Sequence, residues 1–356
     1  MSTKKVISLI GTRPQLIKSS KLYYTLYKDK KIKHKIFDTG QHYDWNLFGS
    51  IKNEFSIDID HAKRIKKDIS QIDKMIENTR KYLINESPDL VIVYGDTNST
   101  LAASVAATYL GIKIAHIEAG LRSNDLDMPE ERNRIIVDSI SSILFSPSYD
   151  SFMRLDKEKK SFQKVYNVGD IMYDVHRDNL KNIVHKNKDK ALPKNYVLAT
   201  IHRQSNVDDY KKLKKIINFL NALAKKYKII FPIHPRTKKN LNNYSIKVKS
   251  SNISIIEPQN YSETQFLLNN CYFVVTDSGG IQKESFFNKK PCFILRKNTE
   301  WKEIINLGWG KLLNLEEHKF NDNTIKSFIN LKRKYTKPYG NGKAAEKIKK
   351  ILLNSL

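Results

Sequence analysis

The sequence predicts an α/β protein made of two doubly wound parallel-sheet domains. Three observations predict this. Short β-branched runs alternate with longer amphipathic stretches, the pattern of parallel strands covered by helices on both faces. The alternation breaks once, at the polar, lysine-rich residues 176–195, HRDNLKNIVHKNKDKALPKN, which read as a connection. A chain of 356 residues is also long enough for two cores of ordinary size. The expected division is 1–175 and 176–356, with the last helix packing back on the first domain.

In chain order, the first half offers KVISLIGT, HKIFDTG, DLVIVYGD, IKIAHIEAG, ILFSPS and VYNVGD as strands. The second half offers YVLATIHR, KIIFPIHP, ISIIEPQ, YFVVTDSGG and CFILRK. Helix-like stretches lie between them, such as KSSKLYYTLYKD, STLAASVAATYLG and YKKLKKIINFLNALAKKY. Nearly every strand closes on a polar or glycine-bearing tag: GTR, DTGQH, GDTNS, EAGLR, TIHR, PIHPR, TDSGG. In open parallel sheets ligands bind beyond the carboxyl ends of the strands. The tags are therefore expected to converge on a central cleft that both domains face. The plainer alternative is that polar residues mark where strands stop.

The composition narrows the classes. With 40% hydrophobic and 10% aromatic residues the chain is expected to be globular. No apolar run reaches the roughly 18 residues that span a bilayer. The opening MSTKKVISLIGT has basic residues before an apolar stretch, but that stretch is short and leads into GTRPQ without a small-residue cleavage site. It reads as the first strand, and the expected location is cytoplasmic. Cys271 and Cys292 form no spaced pair and no Cys/His cluster has ligand spacing, so no metal is expected. Lys+Arg outnumber Asp+Glu by 63 to 37, a net charge of +26. The lysines are spread along the chain, and no nucleic-acid-binding motif accompanies them, so no nucleic-acid partner is expected.

Against that basic background, His116 to Arg134, HIEAGLRSNDLDMPEERNR, holds five carboxylates. Asp96 and Glu118 fall at the ends of neighbouring strands, so their side chains can face one pocket. Glu130 follows Pro129 at a helix start, where a carboxylate also suits the helix dipole; for Glu130 and Glu131 capping is a serious alternative. TDSGGIQKE gives the clearest phosphate signal. Ser278, Gly279 and Gly280 join a strand to a helix, where backbone N–H groups attract an anion, and Glu284 is placed to accept bonds from a ribose diol. GTRPQ puts Arg13 at a turn, suited to clamping a pyrophosphate, with Lys18 on the same helix. His202 and Arg203 of TIHR, and His234 and Arg236 of PIHPR, add donors from the second domain. Neither a GxGxxG fingerprint nor a Walker lysine occurs, so no nicotinamide cofactor is expected.

The ordered set GTRPQLIK, DTGQHYD, YGDTNSTLA, HIEAGLRS, PEERNR, TIHR, PIHPR and TDSGGIQKES resembles the non-hydrolysing UDP-N-acetylglucosamine 2-epimerase family over essentially the whole chain. The resemblance implies a glycosyltransferase-B-like fold of two Rossmann-like domains, a UDP-sugar substrate and a homodimer. It implies catalytic roles for Asp96, Glu118, Glu130 and His202. It also implies substrate contacts from Arg13 and Lys18, and uridine and ribose contacts from Gln259, Ser278, Gly279, Gly280 and Glu284. Some positions depart from the family pattern. Trp301 stands where a nucleotide-contacting arginine is usual, Ser205 where an acid is common, Arg132 where a small or aliphatic residue is usual, and Ser139 for a frequent histidine. The TEW segment is more like the branch acting on UDP-2,3-diacetamido-2,3-dideoxy-glucuronic acid. Alternatives are a hydrolysing relative, which would release UDP and N-acetylmannosamine, and a glycosyltransferase of the same fold.

Overall fold

A computed structural model describes residues 3–41, 55–62, 64–65, 70–186, 191–315 and 322–356. His42, Tyr43 and Asp44 of the TGQHYD segment lie outside the described residues. The chain divides into two compact units, one ending at Asp178 and joined by Lys337–Leu356, the other Asn179–Thr336. The division falls within a helix, Ile171–Lys186, where the sequence suggested a connection beginning at residue 176.

The first unit holds a seven-stranded sheet in the order β3-β2-β1-β4-β5-β6-β7. Its strands are β1 (Lys4–Ile10), β2 (Ile32–Asp38), β3 (Asp60–His61), β4 (Leu90–Tyr94), β5 (Lys113–Ile117), β6 (Ile143–Ser146) and β7 (Lys164–Asn167). Every adjacent pair is parallel. The central strand β4, LVIVY, is buried at all five residues, which is what helices on both faces require. The chain winds outward from β1 to β3, then crosses back past β1 to begin β4. That reversal leaves a crevice where the carboxyl ends of β1 and β4 meet.

The second unit repeats the device with six strands in the order β10-β9-β8-β11-β12-β13. They are β8 (Val197–Thr200), β9 (Ile229–Pro232), β10 (Ile253–Ile256), β11 (Phe273–Thr276), β12 (Cys292–Ile294) and β13 (Gly310–Leu312), again all parallel. Its reversal falls between β8 and β11. The helix Tyr210–Leu223 buries Leu213, Ile216, Ile217, Leu220 and Leu223, a helical stripe laid against this sheet, and Asp209 caps it by accepting from Lys212 N at 3.0 Å. Both units are Rossmann-like.

Residues Lys337–Leu356 belong with the first unit. Asp170 N donates to the Tyr339 carbonyl at 3.0 Å, Ala345 N donates to Asp174 Oδ2 at 2.8 Å, and Lys349 pairs with Asp29 at 2.9 Å. The second unit thus ends at Thr336, short of the chain terminus. Two short strands, β3 and β13, carry no run that marks them in sequence.

Candidate active site

In the first unit the predicted residues gather at three consecutive strand ends. Arg13 opens the helix Arg13–Tyr27 beyond β1, Asp96 follows β4, and Glu118 follows β5, in a sheet where β1, β4 and β5 are neighbours. Gln15 staples the reversal point. Its Oε1 accepts from Gly11 N at 2.9 Å and Thr12 N at 3.1 Å, while its Nε2 donates to the Tyr94 carbonyl at 2.7 Å. The close approach explains Gly11, since a Cβ there would lie 2.6 Å from Ser99 Cβ.

Lys18 is paired with Glu118: Nζ lies 2.7 Å from Oε2, and both side chains are nearly buried. Glu118 also has a left-handed backbone, φ 76°. For a non-glycine residue that conformation costs about 1–3 kcal/mol and persists where the surroundings enforce it. Here the enforcement is visible: Glu118 N and Ala119 N both donate to the Phe145 carbonyl, each at 3.1 Å.

The acid-rich stretch divides into distinct roles. Pro129 opens the helix Pro129–Ile140, and Glu130 lies in its first turn, partly exposed. Glu131 is buried. It accepts from Ser123 N at 2.9 Å, Ser123 Oγ at 3.0 Å and Asn124 N at 2.9 Å, and pairs with Arg134 at 2.5 Å. Burial pushes its carboxyl up, but those N–H groups and the guanidinium outweigh it and hold the group below the usual range. Arg134 reaches with its other nitrogen to Asp96 Oδ2 at 2.5 Å, and Asn133 Nδ2 donates to the Asp96 carbonyl at 2.9 Å. One helix therefore positions Asp96 and, through Glu131, the loop that follows Glu118. Asp138 on the same helix is buried against His116 at 2.8 Å and Arg122 at 2.6 Å. Burial raises this carboxyl as well, yet the imidazole and guanidinium together hold it low.

In the second unit the predicted residues lie at four consecutive strand ends: Gln259 after β10, His234 after β9, His202 after β8 and Ser278 after β11. The rings of His202 and His234 are 5.4 Å apart. Asp277, which sequence reasoning passed over, clips the reversal point. It is buried and accepts from His202 N at 3.0 Å, Arg203 N at 3.0 Å and Asn206 Nδ2 at 3.1 Å. Ser278 caps the helix Gly279–Phe287, accepting from Ile281 N at 3.4 Å. Gly279 opens that helix, and a Cβ on it would lie 2.5 Å from Glu300 Oε1. Glu284 is nearly buried and accepts from Gln265 Nε2 at 2.8 Å.

Arg236 spends its fork on Asp208, both bonds at 2.9 Å, so this guanidinium braces a loop. Trp301 is 3% exposed and lies under the Lys283 ammonium, 4.2 Å from the ring centre. Its ring is packing and cation–π partner, and offers no open edge to a nucleotide. Among the described residues no group of His, Cys, Asp or Glu could hold a metal ion, and no helix is long and apolar enough to cross a membrane.

The family profile described as UDP-N-acetylglucosamine 2-epimerase matches residues 25–353. The chain belongs to the UDP-N-acetylglucosamine 2-epimerase family. A Methanococcus maripaludis relative named UDP-N-acetylglucosamine 2-epimerase homolog is 40% identical, covering 98% of this chain and 99% of its own. The Pseudomonas aeruginosa UDP-2,3-diacetamido-2,3-dideoxy-D-glucuronate 2-epimerase is 34% identical over the same shares. The crystal structure of the Methanocaldococcus jannaschii UDP-GlcNAc 2-epimerase in complex with UDP-GlcNAc and UDP matches with a TM-score of 0.90 at 36% identity, covering 98% of this chain and 99% of that one. The Neisseria meningitidis enzyme bound to UDP-GlcNAc matches at 0.87 and 30%, with 98% and 100% covered. The fold of this epimerase-family chain is thus glycosyltransferase-B-like, and its class is that of an isomerase.

Proposed function

We propose that this family member inverts C2 of a UDP-2-acetamido sugar by eliminating and re-adding UDP. The observation that supports this most is the nearly buried Lys18–Glu118 pair, 2.7 Å apart, with Glu118 just past β5 and Asp96 just past the neighbouring strand β4. The C2 proton is not acidic in the ground state, because no carbonyl adjoins C2. As the C1–O bond lengthens, oxocarbenium character at C1 acidifies C2–H. A carboxylate takes the proton, the C2–H electron pair becomes a C1=C2 double bond, and the C1–O pair departs on the diphosphate. A second group then protonates C2 from the opposite face, and the phosphate oxygen re-adds at C1.

Asp96, Glu118, Glu130 and His202 are the proposed proton carriers. Lys18 supplies the counter-charge to Glu118, and Arg13 and His234 stabilise the departing diphosphate together with the Ser278–Gly280 turn and its helix N-terminus. Gln259 and Glu284 serve the uridine and ribose. Arg236 acts through the loop it braces. The reaction needs neither nicotinamide nor metal. UDP-GlcNAc is the leading substrate. The Pseudomonas relative and the TEW segment favour the diacetamido-glucuronate as a second reading. The wider proposal is a cytoplasmic homodimer supplying a manno-configured sugar for surface polysaccharide such as O-antigen, with no nucleic-acid or membrane partner.

The test uses D2O. The protein is incubated with each UDP-sugar and C2 is followed by proton NMR. Deuterium entering C2 as the manno isomer grows, with UDP still attached, is the expected result, and the faster substrate names the branch. Release of free UDP and sugar from both, or no exchange in either, would overturn the non-hydrolysing reading.

A further inference from the structure

We propose that His116 is a positioning residue, held as an imidazolium, whose Nε2–H fixes the Gly95 carbonyl and through it the placement of Asp96 and Glu118. The catalytic consequence rests on the epimerase reading above. The protonation state stands on hydrogen bonding alone.

His116 is completely buried near the carboxyl end of β5, and both ring nitrogens are engaged. Nε2 lies 2.8 Å from the Gly95 carbonyl oxygen, and Nδ1 lies 2.8 Å from Asp138 Oδ1. A carbonyl has no proton to give, so Nε2 must carry one. Nδ1 then either donates to a carboxylate or accepts from a carboxylic acid. The other oxygen of Asp138 decides between them, because Oδ2 accepts from Gly120 N at 3.1 Å and from Arg122 Nη1 at 2.6 Å. A guanidinium at that distance favours the ionised carboxyl, so the proton belongs on Nδ1 and the ring is charged. Arg122 is in turn balanced by Glu158 at 3.0 Å, which completes an alternating chain: imidazolium, carboxylate, guanidinium, carboxylate. Among the described residues Asp138 faces His116 directly, and Arg122 and Glu158 face it through Asp138.

The target of this charge is a hinge point. Gly95 has φ 62°, donates its N–H to the Ile117 carbonyl at 2.9 Å, and receives the imidazolium on its own carbonyl. Asp96 follows it directly. Glu118 packs against it: a Cβ on Gly95 would sit 3.5 Å from Glu118 Oε1 and 3.7 Å from Lys18 Nζ. The same Asp138 that charges the ring also holds Gly120 N, two residues past Glu118. One charge-assisted network therefore fixes the backbone on both sides of the proposed proton carriers.

The experiment labels the nine histidines with 15N in the full chain and identifies His116 by comparison with His116→Gln. In the wild type at pH 7 both His116 nitrogens are expected at imidazolium shifts, each carrying a proton. A neutral ring at pH 7 overturns the proposal, whatever the variants do. In Asp138→Asn the ring loses its counter-charge beside Arg122, and one of its nitrogens is expected to be unprotonated at pH 7. The variant's kcat should fall about 10²-fold, the loss a misplacement of about 1 Å brings, while UDP affinity is unchanged. Wild-type kcat in a folded Asp138→Asn overturns the positioning role. If the wild type exchanges no deuterium at C2 at all, the epimerase reading fails, and the charged ring is still decided by its nitrogen shifts.

Discussion

The two half-sites are held by different forces. In the first unit, charge is answered by charge: Lys18 with Glu118, Arg134 with Asp96 and Glu131, and His116 and Arg122 with Asp138. In the second, backbone N–H groups and helix starts do most of the holding. Asp277 gathers the amides of His202 and Arg203, and His234 accepts from Arg236 N at 3.1 Å as it caps the helix Pro235–Asn243. Proton transfer at a non-acidic carbon needs carboxylates kept at fixed angles, and buried ion pairs have stiff geometry. Recognition of a diphosphate and a nucleoside needs donors, which a strand-to-helix turn offers at little cost. We propose that most of the chemistry lies in the first unit and most of the grip in the second, with His202 the proton carrier that the second unit contributes and Arg13 the diphosphate contact that the first contributes.

The largest effect should come from breaking the first side of that contrast. Glu118→Gln preserves shape and removes a proton carrier, so C2 exchange should fall about 10²–10⁴-fold. UDP affinity measured by calorimetry should stay near the wild-type value if grip lies in the second unit. Wild-type exchange in this variant would remove Glu118 from the chemistry. A large loss of UDP affinity would show that the two functions are not divided between units as argued.

Next in size is a stability effect. Glu131→Gln keeps the shape that accepts from Ser123 and Asn124 but removes a buried carboxylate partner from Arg134, which keeps its pair with Asp96. Breaking a buried pair from one side costs about 3–5 kcal/mol, and thermal unfolding should shift accordingly. The pH dependence gives a second readout. Because the folded-state Glu131 carboxyl is held low, its contribution is present above the unfolded value of about 4.3 and is lost as pH falls through the folded one. The wild type should therefore lose stability on acidification below about pH 4 more steeply than the variant does. Parallel acid limbs would mean that the pair contributes nothing net.

Much of this arrangement was legible in the sequence, for a physical reason. Strands of alternating α/β units announce themselves by β-branched runs, and parallel winding then forces every strand-end tag to one edge of its sheet. Arg13, Asp96 and Glu118 on one side, and His202, His234 and Ser278 on the other, follow from that alone. Strands β3 and β13 were missed because two or three residues paired at a sheet edge need no apolar run. The supporting groups were missed for a different reason, since what Glu131 or Asp277 does depends on donors brought in from elsewhere in the chain. One trace was present: Glu131, Arg134 and Asp138 are spaced three and four residues apart, one face of a helix, and that face is buried. A charged stripe on the core side of a helix is a sign of a polar network beneath it.

The smallest effect tests the second half-site. Asp277→Asn keeps one oxygen to accept from His202 N or Arg203 N but loses the charge, and an amide cannot accept all three donors that the carboxylate now holds. Hydrogen bonds to a charged group contribute about 1.5–3 kcal/mol each and only part of one is forfeited here, so KM for the UDP-sugar should rise about tenfold, the equivalent of about 1.4 kcal/mol. Turnover at saturation should change less, because the strained Glu118 turn and its Lys18 partner lie in the other unit. An equal fall in kcat with KM unmoved would overturn the binding role of this clip and leave it as the support of His202 in proton transfer.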